Sequence, residues 1–449
     1  MEDNTINTQG EVSNIAPEHY NNKQSTDSGS KHKTLMISGL CLAFGIMIGG
    51  IIVAIGMLEF AKTHNACPEC DCQSGATGQR YESLDSVDYG FLKMELASEN
   101  ILYSPLSIRN GLALLQSGAS GETKAEIDSV LTSANLPEYQ NIPDTLSLAN
   151  AVFVRDTFSG EVLPSYVSTM QDNYGAEVLY DNFTSSTNMD NWVSQKTFGL
   201  INNIGIQPKD DLEMVLANAL AIQMDWQEPF DTEDTGGKPF YQANGSEITA
   251  TTMVQETFSS DVNYYMDDKV TMVSMPLETV DGATLEFAAI MPEGELGDYI
   301  ENFDSSTLDS IFAGSNTANE AENGLNIYIP KFKFDYTLDF KRDLENLGIR
   351  QAFDRELADF SNMASKPLYV SEAIHKANID FSEDGIKAAA VTAFGMTDAA
   401  AMVDKAQPTM LEINRPFLFV IRDKSNGTIW FAGAVYQPNL WADDVADYY

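Results

Sequence analysis

The residues of this chain that could do chemistry are four histidines, four cysteines and a large excess of carboxylates. A Ser-His-Asp or Cys-His mechanism needs an imidazole held between a nucleophile and an orienting group. His19, His32 and His64 all precede residue 65, so only His375 could supply it from the main body of the chain. Its context, LYVSEAIHKANIDFSEDG, is strand-like. A single histidine on a strand reads as a hydrogen-bonded structural residue rather than a base. The cysteines are Cys41, Cys67, Cys70 and Cys72. The run CPECDC has a spacing that suits a soft metal, but a structural zinc site takes four ligands and His64 is the one nearby candidate to complete it. Disulfides within or between chains are the other reading of the same cluster, in an oxidising compartment. No phosphate-cradling G-x-x-x-x-G-K-[ST], no G-x-S-x-G elbow and no H-E-x-x-H helix occurs. Among 66 acidic residues accidental carboxylate pairs are common, and spacing singles out none. The expectation is a protein that is not an enzyme and takes no cofactor and no metal.

The formal charge of −40, from 66 acidic against 26 basic residues, repels a phosphate backbone, which excludes nucleic acid as a partner. It is read as a solubilising surface, though such a field could also attract a basic partner. A hydrophobic content of 43% over 449 residues is enough to bury a large core. Residues 1–34, rich in Asn, Ser, Thr, Asp and Glu, read as a disordered tail. The uncharged run Leu35–Leu58 is long enough to cross a bilayer, so residues 35–61 are expected to form a transmembrane helix. Its length and position disfavour a cleaved signal peptide. Lys31 and Lys33 before it, against Lys62 after it, place the amino terminus inside and the body outside the cell. Residues 62–80 read as a cysteine-containing linker, 81–440 as one domain and 441–449 as an acidic tail.

Within that domain, SPLSIRNGLALLQSGASGETKAEIDSVL spaces its apolar residues for two helices, entered at Ser104-Pro105. LSLANAVFVR, EMVLANALAIQM, ATLEFAAIMP, NIYIPKFKFDY and PFLFVIRD…GTIWFAGAVYQP read as strands, several apolar enough for a buried sheet. The class is α+β. Between two such strands lies SEDGIKAAAVTAFGMTDAAAMVDKAQPTM, Ser382–Met410, rich in alanine and poor in charge. Its alanines favour a helix. Read with period two, Ile386, Ala388, Ala390, Thr392, Phe394 and Met396 share one face, and Lys387, Ala389, Val391, Ala393, Gly395 and Thr397 the other. That second pattern suits a strand that enters a sheet with its small row inward. Composition leaves the two readings level.

From about Asn100 to Pro438 the chain resembles the serpin family. The resemblance is carried by NILYSPLSI with GASGETKAEI, by LANAVFV and NWVSQKTFGLI, and by VLANALAIQMDWQEPFD with Asn218, Trp226, Pro229 and Phe230. The carboxy-terminal third adds LYVSEAIHKANIDFSEDGIKAAAVTA and RPFLFVIRDKSNGTIWFAGAVYQP in the family's order. It implies helices around three β-sheets, with an exposed reactive-centre loop at about Glu383 to Met402. It also implies a monomer that traps one target serine protease as an acyl-enzyme while the cleaved loop becomes a new strand. Glu383, Asp384, Gly385, Ile386, Lys387, Ala388, Ala389, Ala390, Val391 and Thr392 match the hinge of inhibitory members. Ile386 is bulkier than usual and would slow insertion; Lys387, in place of an acid, would face outward. Family spacing puts the cleaved bond at Ala399-Ala400, which suits an elastase- or subtilisin-like protease. A shift to Met396 or Met402 would admit a chymotrypsin-like one, and the lack of a basic residue between Lys387 and Lys405 argues against trypsin-like targets. Asn218, Trp226 and His375 are implied to be structural, at and beside the breach of the central sheet. A binding or adhesion protein on the same scaffold is the alternative. The sequons at Asn182, Asn244 and Asn426 are compatible with an exterior location.

Overall fold

The computed structural model describes residues 50–57, 85–95, 99–131, 139–280, 283–386 and 407–438, all within the unit Gly45–Tyr449. Helices surround three β-sheets, as expected. Ser104 starts the central helix, Pro105–Gly118: its hydroxyl accepts from the Ser107 N–H at 3.1 Å, and proline fills the first turn, where its missing donor costs nothing. Eleven residues of this helix are buried, because it runs beneath one sheet and against another. The second expected helix is Gly121–Leu131.

The central sheet has the strand order Glu177–Asp181, Leu146–Arg155, Leu212–Ile222, Gly50–Met57, Leu368–Phe381, Gly385–Ile386 and Met224–Asp225, and Phe332–Leu338 pairs with the far edge of Leu368–Phe381. Leu212–Ile222, the Asn218 strand, is buried at every position. That is why its sequence reads as a continuous apolar run instead of alternating. A second, seven-stranded sheet holds Leu285–Pro292, Phe417–Asp423 and Ile429–Val435, and a third, four-stranded sheet holds Leu325–Pro330 and Glu247–Thr257. Where the sequence suggested a single strand at NIYIPKFKFDY, the chain breaks after Pro330 and serves two sheets. Gly433, in the second sheet, is obligatory: a Cβ there would lie 2.4 Å from the Ile101 carbonyl oxygen.

One expectation is not supported. The described part of the segment expected to form a transmembrane helix, Gly50–Met57, is a β-strand in the middle of the central sheet. No helix among the described residues is long and apolar enough to cross a membrane. The physical ambiguity is plain: a strand covered on both faces and a membrane helix both present an unbroken apolar run. Ile51, Ile52, Val53 and Ile55 are β-branched, which lowers helix propensity and favours a pleated strand. The expectations for residues 1–34, 62–80 and 441–449, and those for Cys41, Cys67, Cys70 and Cys72, concern positions outside the described residues.

Leu368–Phe381, the His375 strand, carries a buried lysine. Lys376 donates to Asn203 Oδ1 at 2.7 Å. Burial holds its ammonium below the usual lysine range, and Asp190 and Asp335 offset only part of this. The folded value thus lies below the unfolded one, so the charge destabilises the fold at neutral pH and that cost fades as pH rises toward the unfolded value. Lys376→Met is expected to stabilise the protein by about 1 kcal/mol at pH 7. The gain should shrink toward pH 10, as read by thermal melting across that range.

Candidate functional site

The hinge of the proposed loop begins where the His375 strand ends. Phe381 sits in an aromatic nest: its ring stacks on Phe332 at 4.6 Å and 6° and lies 4.5 Å from Phe287 and 5.3 Å from Trp226. The chain then turns through Ser382, Glu383 and Asp384, and each main-chain carbonyl finds a donor. Trp226 donates its ring N–H to the Ser382 oxygen and its backbone N–H to the Asp384 oxygen, both at 2.9 Å, and Phe230 donates its N–H to the Glu383 oxygen at 3.0 Å. Trp226 is therefore the residue that clamps the turn. Gly385 follows, paired with Asp225, at a point where a Cβ would lie 2.3 Å from the Met224 oxygen and 2.6 Å from the Asp225 Cα. No other residue fits there without moving the strand opposite. Ile386 pairs with Phe381 and with Met224, and its side chain is buried. It lines a cavity of about 10 Å³ with Ile222, Asn378 and Ile379, so the core already holds its extra bulk.

Charge at this turn is buried and paired. Glu383 faces Lys331 at 3.0 Å, with both side chains 9% exposed. Nearby, Lys333 donates to Asp380 at 2.7 Å, yet burial still holds the Asp380 carboxyl above the usual carboxylate range. A buried ion pair offsets its desolvation only while both partners are present.

Beneath the lower half of the same sheet lies a polar cluster. The Ser104 N–H donates to His375 Nε2 at 3.0 Å, across 271 positions of sequence, and the Ser104 hydroxyl donates to the Trp430 oxygen at 2.6 Å. The Ser107 hydroxyl donates to Asn218 Oδ1 at 2.5 Å, and the Asn218 amide donates to Asn150 Oδ1 at 2.8 Å. Ser104, Ser107, Asn218 and His375 are all buried. With its Nε2 lone pair committed to a backbone N–H, His375 has no free base to offer a hydroxyl or thiol. The cluster joins the central helix to the two strands that flank Gly50–Met57. It can therefore report on the spacing of those strands, and it performs no reaction itself.

Of the residues singled out from the sequence, Glu383, Asp384, Gly385, Ile386 and Trp226 meet at the turn, and Asn218 and His375 meet lower in the sheet through the central helix. Lys387, Ala388, Ala389, Ala390, Val391, Thr392 and the bond Ala399-Ala400 lie outside the described residues. Sequence reasoning missed Lys331, Ser104, Ser107 and Asn150. The N-cap pattern Ser104-Pro105 was visible, but nothing in local spacing could pair a serine with a histidine or asparagine brought to it by the fold. Among the described residues no group of three or more His, Cys, Asp or Glu is arranged to hold a metal. Replacing Glu383 with Gln removes the carboxylate facing buried Lys331 and is expected to cost on the order of 3 kcal/mol. Urea unfolding should show that loss, and the double change Lys331→Met with Glu383→Leu should recover most of it.

With this geometry established, comparison with known proteins assigns the fold. The profile of the family described as serpin (serine protease inhibitor) matches residues 89–438. An uncharacterised serpin-like protein of Thermococcus kodakarensis is 28% identical over 385 residues, covering 79% of this chain and 85% of that protein. Leukocyte elastase inhibitor of Equus caballus is 27% identical over 363 residues, covering 76% of this chain and 93% of that protein. Among solved structures, the thermophilic serpin tengpin in its native state superposes with a TM-score of 0.66 at 25% identity, over 83% of this chain and 97% of that one. The matched stretch includes the turn at Glu383, the Trp226 clamp and the polar cluster at His375, and the chain belongs to the serpin family.

Proposed function

We propose that the protein is a single-use inhibitor of an elastase- or subtilisin-like serine protease, cleaved in its reactive loop near Ala399-Ala400. The observation that carries this reading is the state of the hinge. Gly385 and Ile386 form a first rung against Phe381 and Met224–Asp225, and Ile386 is seated in the core. Continued in the same ladder, Ala388, Ala390 and Thr392 follow Ile386 on the inward face, since side chains alternate along a strand. Small residues in that row can pass between neighbouring strands without overpacking. A loop that has not entered is a strand withheld from its sheet, so its cleavage frees one end and insertion releases stored free energy. A protease bonded to the new end is carried along before water can release it.

The small side chain at Ala399 fits a shallow specificity pocket, and the name of the Equus caballus relative points to the same protease class. The sequons at Asn182, Asn244 and Asn426 are exposed, which supports a site of action outside the cell as part of the same proposal. The alternative, a binding or adhesion role on a serpin scaffold, is favoured by one observation: a strand, Gly50–Met57, already lies between the Asn218 and His375 strands.

Incubation with elastase-, subtilisin-, chymotrypsin- and trypsin-like proteases tests the reading through SDS-resistant complexes on gels and mass spectrometry of the cleaved bond. Covalent complexes with the first two and cleavage near Ala399 are expected; clean cleavage by every protease, under all conditions that open the sheet, would support the scaffold. Thr392→Arg puts a charge in the inward row, at a cost of several kcal/mol if buried. It is expected to turn the inhibitor into a substrate, with the complex band lost and the cleaved band kept.

A further inference from the structure

We propose that Gly50–Met57 is a built-in occupant of the position that the cleaved loop must take, so that the full chain is held in a restrained form until this strand leaves. The inference rests on the inhibitory reading above. The strand pairs antiparallel with the His375 strand from Gly50↔Lys376 to Met57↔Leu368, with a register shift between Ala54 and Ile55. On its other edge it pairs antiparallel with the Asn218 strand from Ile52↔Ala217 to Gly56↔Leu212. Ile52 through Gly56 are thus laddered on both sides, as in an integral central strand.

The hinge fixes where the loop would run. Ile386 pairs with Phe381 in antiparallel sense, so each step forward in the loop is one step back in the His375 strand. On that ladder Ala388 would meet Ile379, Ala390 would meet Ala377 and Val391 would meet Lys376. Lys376 is already paired with Gly50. Four residues beyond Ile386 could enter above the N-terminal strand, and from Val391 onward the place is taken. Complete insertion therefore demands that Gly50–Met57 be expelled first. Most of the acyl-enzyme hydrolyses during that delay, so the intact chain traps only a minor share of the protease it meets and releases the rest.

The sequence of the occupant fits this use. GIIVAIGM carries no charge and four β-branched residues, the composition of a strand covered on both faces. It belongs to the same chain, so its return to the slot after any local opening is an intramolecular event that a separate peptide must outcompete. Its removal leaves N–H and C=O groups of both flanking strands without ladder partners, which a loop strand can then satisfy.

Hydrogen exchange of the full chain tests the occupancy directly. Backbone amides of Ile52–Gly56 are expected to exchange as slowly as those of Leu212–Ile222; exchange at the rate of an unstructured chain would overturn the proposal. Val53→Pro removes a ladder donor in the middle of the strand and should abolish that protection, while the fraction of elastase- or subtilisin-like protease trapped in SDS-resistant complexes rises roughly tenfold or more. Equal and readily measured trapping by the wild type and Val53→Pro, with the wild-type strand protected, would also overturn it. A synthetic peptide with the sequence of residues 388–399 gives a readout independent of inhibition: Val53→Pro should take it up, with a rise in melting temperature, and the wild type should not. If that uptake difference holds while neither protein traps a protease, the occupancy stands and the inhibitory reading falls. Uptake by the wild type at the same rate as by the variant would sink the occupancy itself.

Discussion

The interaction on which the structure depends is the pair of backbone ladders that joins the Asn218 and His375 strands through Gly50–Met57. The Asn218 strand is buried at all its positions, and the His375 strand is buried from His375 to Phe381. A buried strand cannot leave one edge of N–H and C=O groups unsatisfied without a cost comparable to several lost hydrogen bonds. Two strands that stand one strand apart must therefore be bridged by something. Here the bridge is Gly50–Met57, from a part of the chain that precedes the family-matched stretch. In the proposed mechanism the reactive loop is the competing bridge.

The polar cluster gives the slot a defined width. Ser104 holds His375 through its own backbone N–H, and Ser107 holds Asn218, so the N-cap and the third residue of a single helix grip the two flanking strands. Each of these groups is buried, and a buried network is costly to leave partly satisfied. Movement of the strands is therefore expected to be a concerted change between arrangements in which the cluster is intact. The turn above it follows the same logic with charge: Glu383 stays close to Lys331, Trp226 spends both of its N–H groups on the turn, and Gly385 admits a close approach that any Cβ would block. These contacts fix the direction in which the hinge departs.

Much of the architecture was legible in the chain itself. The Ser104-Pro105 start of the central helix and the apolar runs at Leu146–Arg155 and Leu212–Ile222 each follow from local rules of capping, periodicity and burial. The departure was Gly50–Met57. An apolar run carries no information about what covers it, and lipid on all sides of a helix reads the same as protein on both faces of a strand. Its β-branched residues were a hint that length alone outweighed.

By itself the sequence determined the class of fold, the family through its ordered motifs, the composition of the hinge from Glu383 to Ile386, and the lack of any catalytic set around a lone His375. These are properties of residue type and local spacing. Only the tertiary structure decided that Lys331 faces Glu383, that Ser104 and Ser107 serve His375 and Asn218, and that Gly50–Met57 lies between the Asn218 and His375 strands. Each of those is a meeting of residues far apart in the chain, chosen by which buried polar groups and ladder edges needed partners once the sheet had formed, and that need exists only in the folded molecule.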